Sequence, residues 1–224
     1  MCGRYASSQP LSDLAERFLI DEVRTEPLPP SWNVAPTDPV YAVAEHEGRR
    51  LLGSFRWGLI PPGARDPAQG PRPINARAET LVERPLFRDA FARRRCLLPA
   101  DGFYEWESRD GRKQPYFFAP GEGDVLAMAG LWSTWRREGH AIRTCAIITT
   151  SANQIVAPLH DRMPVILPPE HWEVWLDRDE HDLALLSSLL VPAPDELLQP
   201  RPVGTEVNSV RNNGPGLTAP VVLP

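Results

Sequence analysis

A chain of 224 residues, 42% hydrophobic and 24% charged, fits one compact domain with a single core and excludes general disorder. Its formal net charge of −5 argues against a surface that binds nucleic acid over its whole extent, and leaves room for a local basic groove. The apolar stretches 125–132 and 145–148 fall far short of the roughly 20 residues of a membrane span, and no basic region followed by an apolar run opens the chain. A cytoplasmic protein without a membrane segment is expected.

Three cysteines, Cys2, Cys96 and Cys145, cannot all pair within one chain, and their spacing matches neither a disulfide framework nor a zinc motif. Five histidines are scattered without metal-ligand spacing. Free thiols, no metal and no cofactor are the expectation. Lys113 is the sole lysine, and arginine's planar fork suits phosphate, although codon bias is the stronger reading of an arginine excess beside 26 prolines.

In chain order, Leu11, Leu14, Phe18 and Leu19 fall at helical spacing over 11–20, with Ser12 and Asp13 available for capping. The stretch 27–39 carries five prolines and reads as an ordered irregular loop. Strands over 40–45 and 51–59 flank Glu47-Gly48 as a hairpin. A second Pro/Gly-rich loop, 61–73, leads to a helix over 85–95 with Leu86, Ala90 and Phe91 inward. Strands follow over 102–108, 114–119, 125–132 and 141–149, with turns at Asp110-Gly111 and Glu138-Gly139. Short helices near 169–176 and 182–190 precede a tail, rich in proline and glycine from Pro200, that reads as irregular. The sum is an α+β fold: a single domain, 1–224, with a mainly antiparallel, barrel-like β core and peripheral helices.

Cys2 follows an initiator methionine and is small enough to permit its removal, so the mature chain is expected to begin at Cys2, with a free α-amine and a thiol on one residue. An amine with an ordinary pKa of about 7.7 to 8.0 and a thiol of about 8.5 both have reactive fractions near neutral pH. An aldehyde can form an imine with the amine, onto which the thiol closes as a thiazolidine. Alone, position 2 is more simply an ordinary second residue.

Four further clusters weigh against that: 31–37 (SWNVAPT), 75–79 (NARAE), 102–106 (GFYEW) and 158–164 (PLHDRMP). With Cys-Gly-Arg-Tyr at 2–5, WGLIP at 57–61 and the ending at 207–212 (VNSVRN), their order and spacing resemble the SRAP (SOS response-associated peptidase) family over nearly the whole chain. The resemblance implies a protein that captures abasic sites in single-stranded DNA as a covalent adduct, with a self-processing peptidase activity as a further possibility. It implies that Glu105 assists at the Cys2 amine, that His160 opens the sugar hemiacetal and that Asn75 orients the oxygen released. Arg4, Arg77 and Arg162 belong to matched motifs and are candidate phosphate ligands, with Trp32 and Asn33 as pocket wall.

Each residue also has a plainer reading. Glu105 suits a surface strand, His160 a structural role beside Asp161, Asn75 a turn, and Trp32 core packing. The triplet Arg93–Arg95 reads as a basic edge or, more simply, as a solvated surface, and Cys96 and Cys145 as buried structural thiols. The family's aromatic residue after WGLIP is replaced by Pro62-Gly63-Ala64-Arg65, which puts the mode of base stacking in doubt. The alternatives in other classes are an N-terminal nucleophile glutamine amidohydrolase, a thiol peptidase using Cys2 and His160, and a noncatalytic single-strand-binding module. A monomer with single-stranded DNA as partner is expected.

Overall fold

The computed structural model describes residues 2–109, 111–121 and 124–223. The chain opens with β1 (Tyr5–Ser7), α1 (Leu11–Arg17) and β2 (Glu22–Arg24). A short strand, β3 (Ser31–Val34), lies inside the first proline loop, ahead of the hairpin β4 (Pro39–His46) and β5 (Arg49–Trp57). Glu47 and Gly48 turn that hairpin with φ of 55° and 72°, the left-handed pair that a two-residue connection demands. Next come β6 (Asn75–Arg77), α2 (Pro85–Arg93), β7 (Arg95–Ala100), β8 (Gly102–Arg109), β9 (Arg112–Ala119), β10 (Leu126–Arg137) and β11 (His140–Ser151). The chain closes with β12 (Arg162–Pro164), α3 (Trp172–Leu176), α4 (Leu183–Ser188) and β13 (Gln199–Pro202), with short 3-10 turns between.

Strands β11, β10, β7, β4 and β5 are bonded in that order. β5 then pairs back onto β11 in parallel through Arg56 with Thr144 and Trp57 with Cys145, so the five close into a barrel. β2, β6 and β12 extend it. A second sheet, ordered β13, β9, β8, β1, β3, places β1 between two partners rather than at an edge. Alternation along the strands separates two cores. Ala42, Trp57, Leu98, Met128, Cys145 and Ile147 share one cluster with Cys2, Tyr5 and Phe103. Val43, Leu52, Leu97, Ala129 and Ile148 pack against Phe18, Phe91, Trp172 and Trp175 from the helices. Gly130 sits where strands crowd: a Cβ there would come within 2.3 Å of a Leu98 methyl.

The α+β, mainly antiparallel barrel-like architecture matches the sequence expectation, with differences in its parts. α1 stops at Arg17, because Leu19 turns left-handed at φ 52°, and Pro10 rather than Ser12 or Asp13 holds the cap position. In α2 the buried face is Phe87, Ala90 and Phe91, with Leu86 only partly covered. The tail expected to be irregular contributes β13, which pairs with β9. Asp110 of the expected turn lies outside the described residues. Among the described residues, no helix is long and apolar enough to cross a membrane, and no cluster of His, Cys, Asp or Glu is placed to hold a metal ion.

Candidate functional site

Cys2 precedes β1, and the register of Tyr5 with Phe103 brings the chain start alongside β8, the strand that carries Glu105. Both are enclosed: Cys2 is 0% and Glu105 4% exposed. Strand alternation puts Phe103 in the Cys2 cluster, whereas Tyr104 and Trp106 pack on the opposite face. Asn75, at the start of β6, donates from Nδ2 to the Cys2 carbonyl at 2.9 Å. β6 is held there by β11, with Asn75 opposite Ile147. The Asn75 Oδ1 is buried without a hydrogen-bond partner among the described residues.

Burial pushes the Glu105 carboxyl up to about 7, with Asp161 adding a smaller push. Burial, and then the nearness of Glu105, push the Cys2 thiol well above its ordinary value. The thiol is therefore held as S–H at neutral pH, while the carboxyl sits where it can both take and give a proton. Burial lowers His160, with Asp161 opposing. Its Nδ1 accepts from the Arg162 backbone N–H at 2.9 Å and lies 3.1 Å from Asp161 Oδ1. These contacts are alternatives at one atom: the neutral ring accepts from Arg162 and carries its proton on Nε2, whereas the protonated ring can donate to Asp161.

The three candidate phosphate arginines fare differently. Arg162 is bidentate to Glu79 at 2.7 and 2.9 Å and also donates to the Thr149 carbonyl at 2.6 Å, so its charge is already matched. Arg4 donates to Asn33 Oδ1 at 2.7 Å and to the Val207 carbonyl at 3.0 Å, beneath the Trp106 ring. Arg77 is exposed and makes no ion pair among the described residues. With Arg72 and Arg84 it lines an open groove of about 590 Å³ that begins at Asn75 and contains no carboxylate. Arg72 and Arg84 were missed in the sequence because neither belongs to a matched motif; only the fold aligns them with Arg77. Glu79 was overlooked too, although it lies within NARAET and faces the arginine of HDRMP.

Trp32 and Asn33 lie on β3 and fasten the chain's last segment. The Trp32 carbonyl accepts from the Tyr104 hydroxyl at 2.7 Å. Asn33 Nδ2 donates to the carbonyls of Ser209 and Asn212 at 3.0 and 2.8 Å. Asn33→Ala removes three bonds at a buried position. It is expected to cost about 2 kcal/mol and to open 205–213 to early proteolysis; a digestion pattern unchanged from wild type would refute that role. In the Pro62–Arg65 stretch, the Ala64 carbonyl accepts from the Trp135 indole at 2.8 Å, which ties the loop to β10. Cys96 and Cys145 are fully buried free thiols.

The structure is a barrel that buries Cys2 and Tyr5 at the start of the chain, with the Glu105 carboxyl enclosed near Cys2 and Asn75 bonded to its carbonyl. The chain belongs to the SRAP family, whose model, SOS response associated peptidase, matches residues 1–210. The Bacillus subtilis abasic site processing protein YoqW is 41% identical over 220 residues, covering 97% of this chain and 98% of its own. The Escherichia coli abasic site processing protein YedK is 32% identical over 228 residues, covering 99% and 100%. Among solved structures, a Bacteroides thetaiotaomicron protein superposes with a TM-score of 0.88 at 26% identity, covering 99% of this chain and 100% of that one.

Proposed function

We propose that the chain processes abasic sites in single-stranded DNA by capturing their aldehyde on Cys2, acting as one unit that begins at Cys2 once Met1 is removed. The observation that carries this reading is the enclosed Cys2 beside a Glu105 carboxyl poised at about 7. The names of YoqW and YedK, both abasic site processing proteins, support the same substrate.

Nucleophilic attack falls to the amine, because the buried thiol stays protonated. Glu105 takes a proton from the Cys2 ammonium, and the neutral amine adds to the aldehyde carbon. The resulting carbinolamine loses its hydroxyl as water with the proton that Glu105 returns, leaving an iminium whose N–H proton passes back to Glu105 to give the imine. The thiol sulfur then bonds to the imine carbon while its proton passes to nitrogen, closing a five-membered thiazolidine. One water is released in all. Before capture, His160 takes the hemiacetal hydroxyl proton and hands it to the ring oxygen as that oxygen leaves, and Asn75 orients the freed sugar. Arg77, with Arg72 and Arg84, receives the backbone phosphates along the groove. A protonated thiol also disfavours the thiolate-first readings, glutamine amidohydrolase and thiol peptidase.

The test is intact mass spectrometry of Met1-free protein incubated with single-stranded DNA bearing one abasic site. The expected product is protein plus DNA minus one water, absent in Cys2→Ala and with undamaged DNA. No adduct from verified Met1-free protein would end the proposal.

A further inference from the structure

The barrel has a second mouth. Arg143 lies four residues along β11 from Ile147, the partner of Asn75, which puts it on the order of 13 Å away along the strand. Around it lies a cavity of about 230 Å³ that the Cys2 chemistry does not use. Its floor is aromatic: Phe55 and Trp132 meet edge to face with ring centroids 5.8 Å apart. Gly53 leaves the Phe55 ring room to lie along β5, since a Cβ there would come within 3.2 Å of it.

The walls carry four arginines against one carboxylate, in a chain whose net charge is −5. Two of the four are occupied. Arg24 is paired with Glu22 at 2.7 Å, and Arg178 donates to His46 Nδ1 at 3.2 Å. The carboxylate, Glu45, already accepts from the backbone N–H groups of Gly48 and Arg178. Arg136 and Arg143 make no ion pair among the described residues. Arg143 stands opposite Thr134, so Arg136 is its diagonal neighbour on the same hairpin face, and two like charges there repel unless an anion lies between them.

We propose that this cavity seats a single nucleotide, its base against the half-buried Trp132, which Phe55 backs, and its phosphate between Arg136, Arg143 and the Thr134 hydroxyl. Aromatic faces hold any base by stacking, and paired guanidiniums hold phosphate by charge-assisted bonds. A volume below the roughly 300–1,000 Å³ of drug-sized sites fits one ring system with its phosphate at the rim. The nucleotide is either free or part of a DNA strand passing over the barrel.

The experiment follows the Trp132 indole N–H by NMR in Cys2→Ala protein, where no covalent chemistry interferes, with Trp132→Phe to assign the signal. Thymidine 5′-monophosphate, thymidine, inorganic phosphate and an undamaged oligothymidylate are titrated separately. The expected result is saturable movement of the Trp132 signal by the monophosphate, the oligonucleotide or both. Binding should be at least roughly tenfold weaker for thymidine and in Arg136→Gln/Arg143→Gln. Saturation by the monophosphate identifies a free nucleotide as a sufficient ligand, and saturation by the oligonucleotide alone identifies a strand. A Trp132 signal that none of them moves, an unchanged affinity in the double arginine variant, or inorganic phosphate equal to the nucleotide would overturn the proposal.

Discussion

Glu105→Gln is expected to make the protein more stable at pH 8 while slowing adduct formation about 100-fold or more. Both effects come from one buried carboxyl. In the folded chain it is pushed from an ordinary 4.5 up to about 7, whereas the unfolded chain ionises near 4.5. Between those values the native state holds a proton that the unfolded state has lost. Stability is therefore fullest below about 4.5, declines as pH rises toward 7, and stays reduced above it. Glutamine never ionises, so the variant should gain on the order of 2–3 kcal/mol at pH 8 and nothing at pH 4. The rate follows the opposite logic: the wild-type rate rises as the carboxylate forms near pH 7, and the variant lacks that limb. Thermal melts at both pH values and timed adduct formation across pH test the two halves separately. A variant that reacts at the wild-type rate would remove Glu105 from the proton transfers.

The second large effect is expected far from the site. Arg95 is 2% exposed, yet no carboxylate among the described residues pairs with it. Its guanidinium instead ends two helices, donating to the carbonyls of Phe91 and Ala92 at the close of α2 and to those of Trp175 and Asp177 at the close of α3. Positive charge there also faces the negative ends of both helix dipoles. Arg95→Met should cost about 3–5 kcal/mol, because it strands several buried carbonyls together, and lower the melting temperature by roughly 10 °C. Arg95→Lys should recover only part, since one ammonium cannot span both helix ends. Denaturant titration checks this; a loss under about 1 kcal/mol would mean that water replaces the guanidinium there.

How far the sequence reads depends on the range of the interaction. The β4–β5 hairpin was legible because Glu47-Gly48 and its flanking strands form a local signal. β1 and β3 were not: β3 is a strand because Val34 meets Tyr5 across a proline loop that, by composition, reads as irregular, and β1 because it lies between β3 and the distant β8. Arg95 shows the same limit, since nothing in Arg93-Arg94-Arg95 marks the third arginine as the buried one. The fold decides it, by starting β7 at Arg95 beneath α3. At the site, the motifs flagged Cys2, Asn75, Glu105 and His160, and burial of Cys2 and Glu105 supplies what motifs lack, the protonation states. Of the Arg72–Arg77–Arg84 groove only Arg77 lay in a motif, and nothing local marked the other two.

Arg4 and Val207 are 203 residues apart and bonded to each other, with Asn33 bridging to Ser209 and Asn212. On a ribosome Arg4 and Asn33 emerge long before the segment that they bond to, 207–212, has been made. Until then the Arg4 guanidinium lacks its Val207 partner and Asn33 lacks the two carbonyls to which it donates. The segment around Arg4 is thus made 203 residues before the Val207 carbonyl that fastens it.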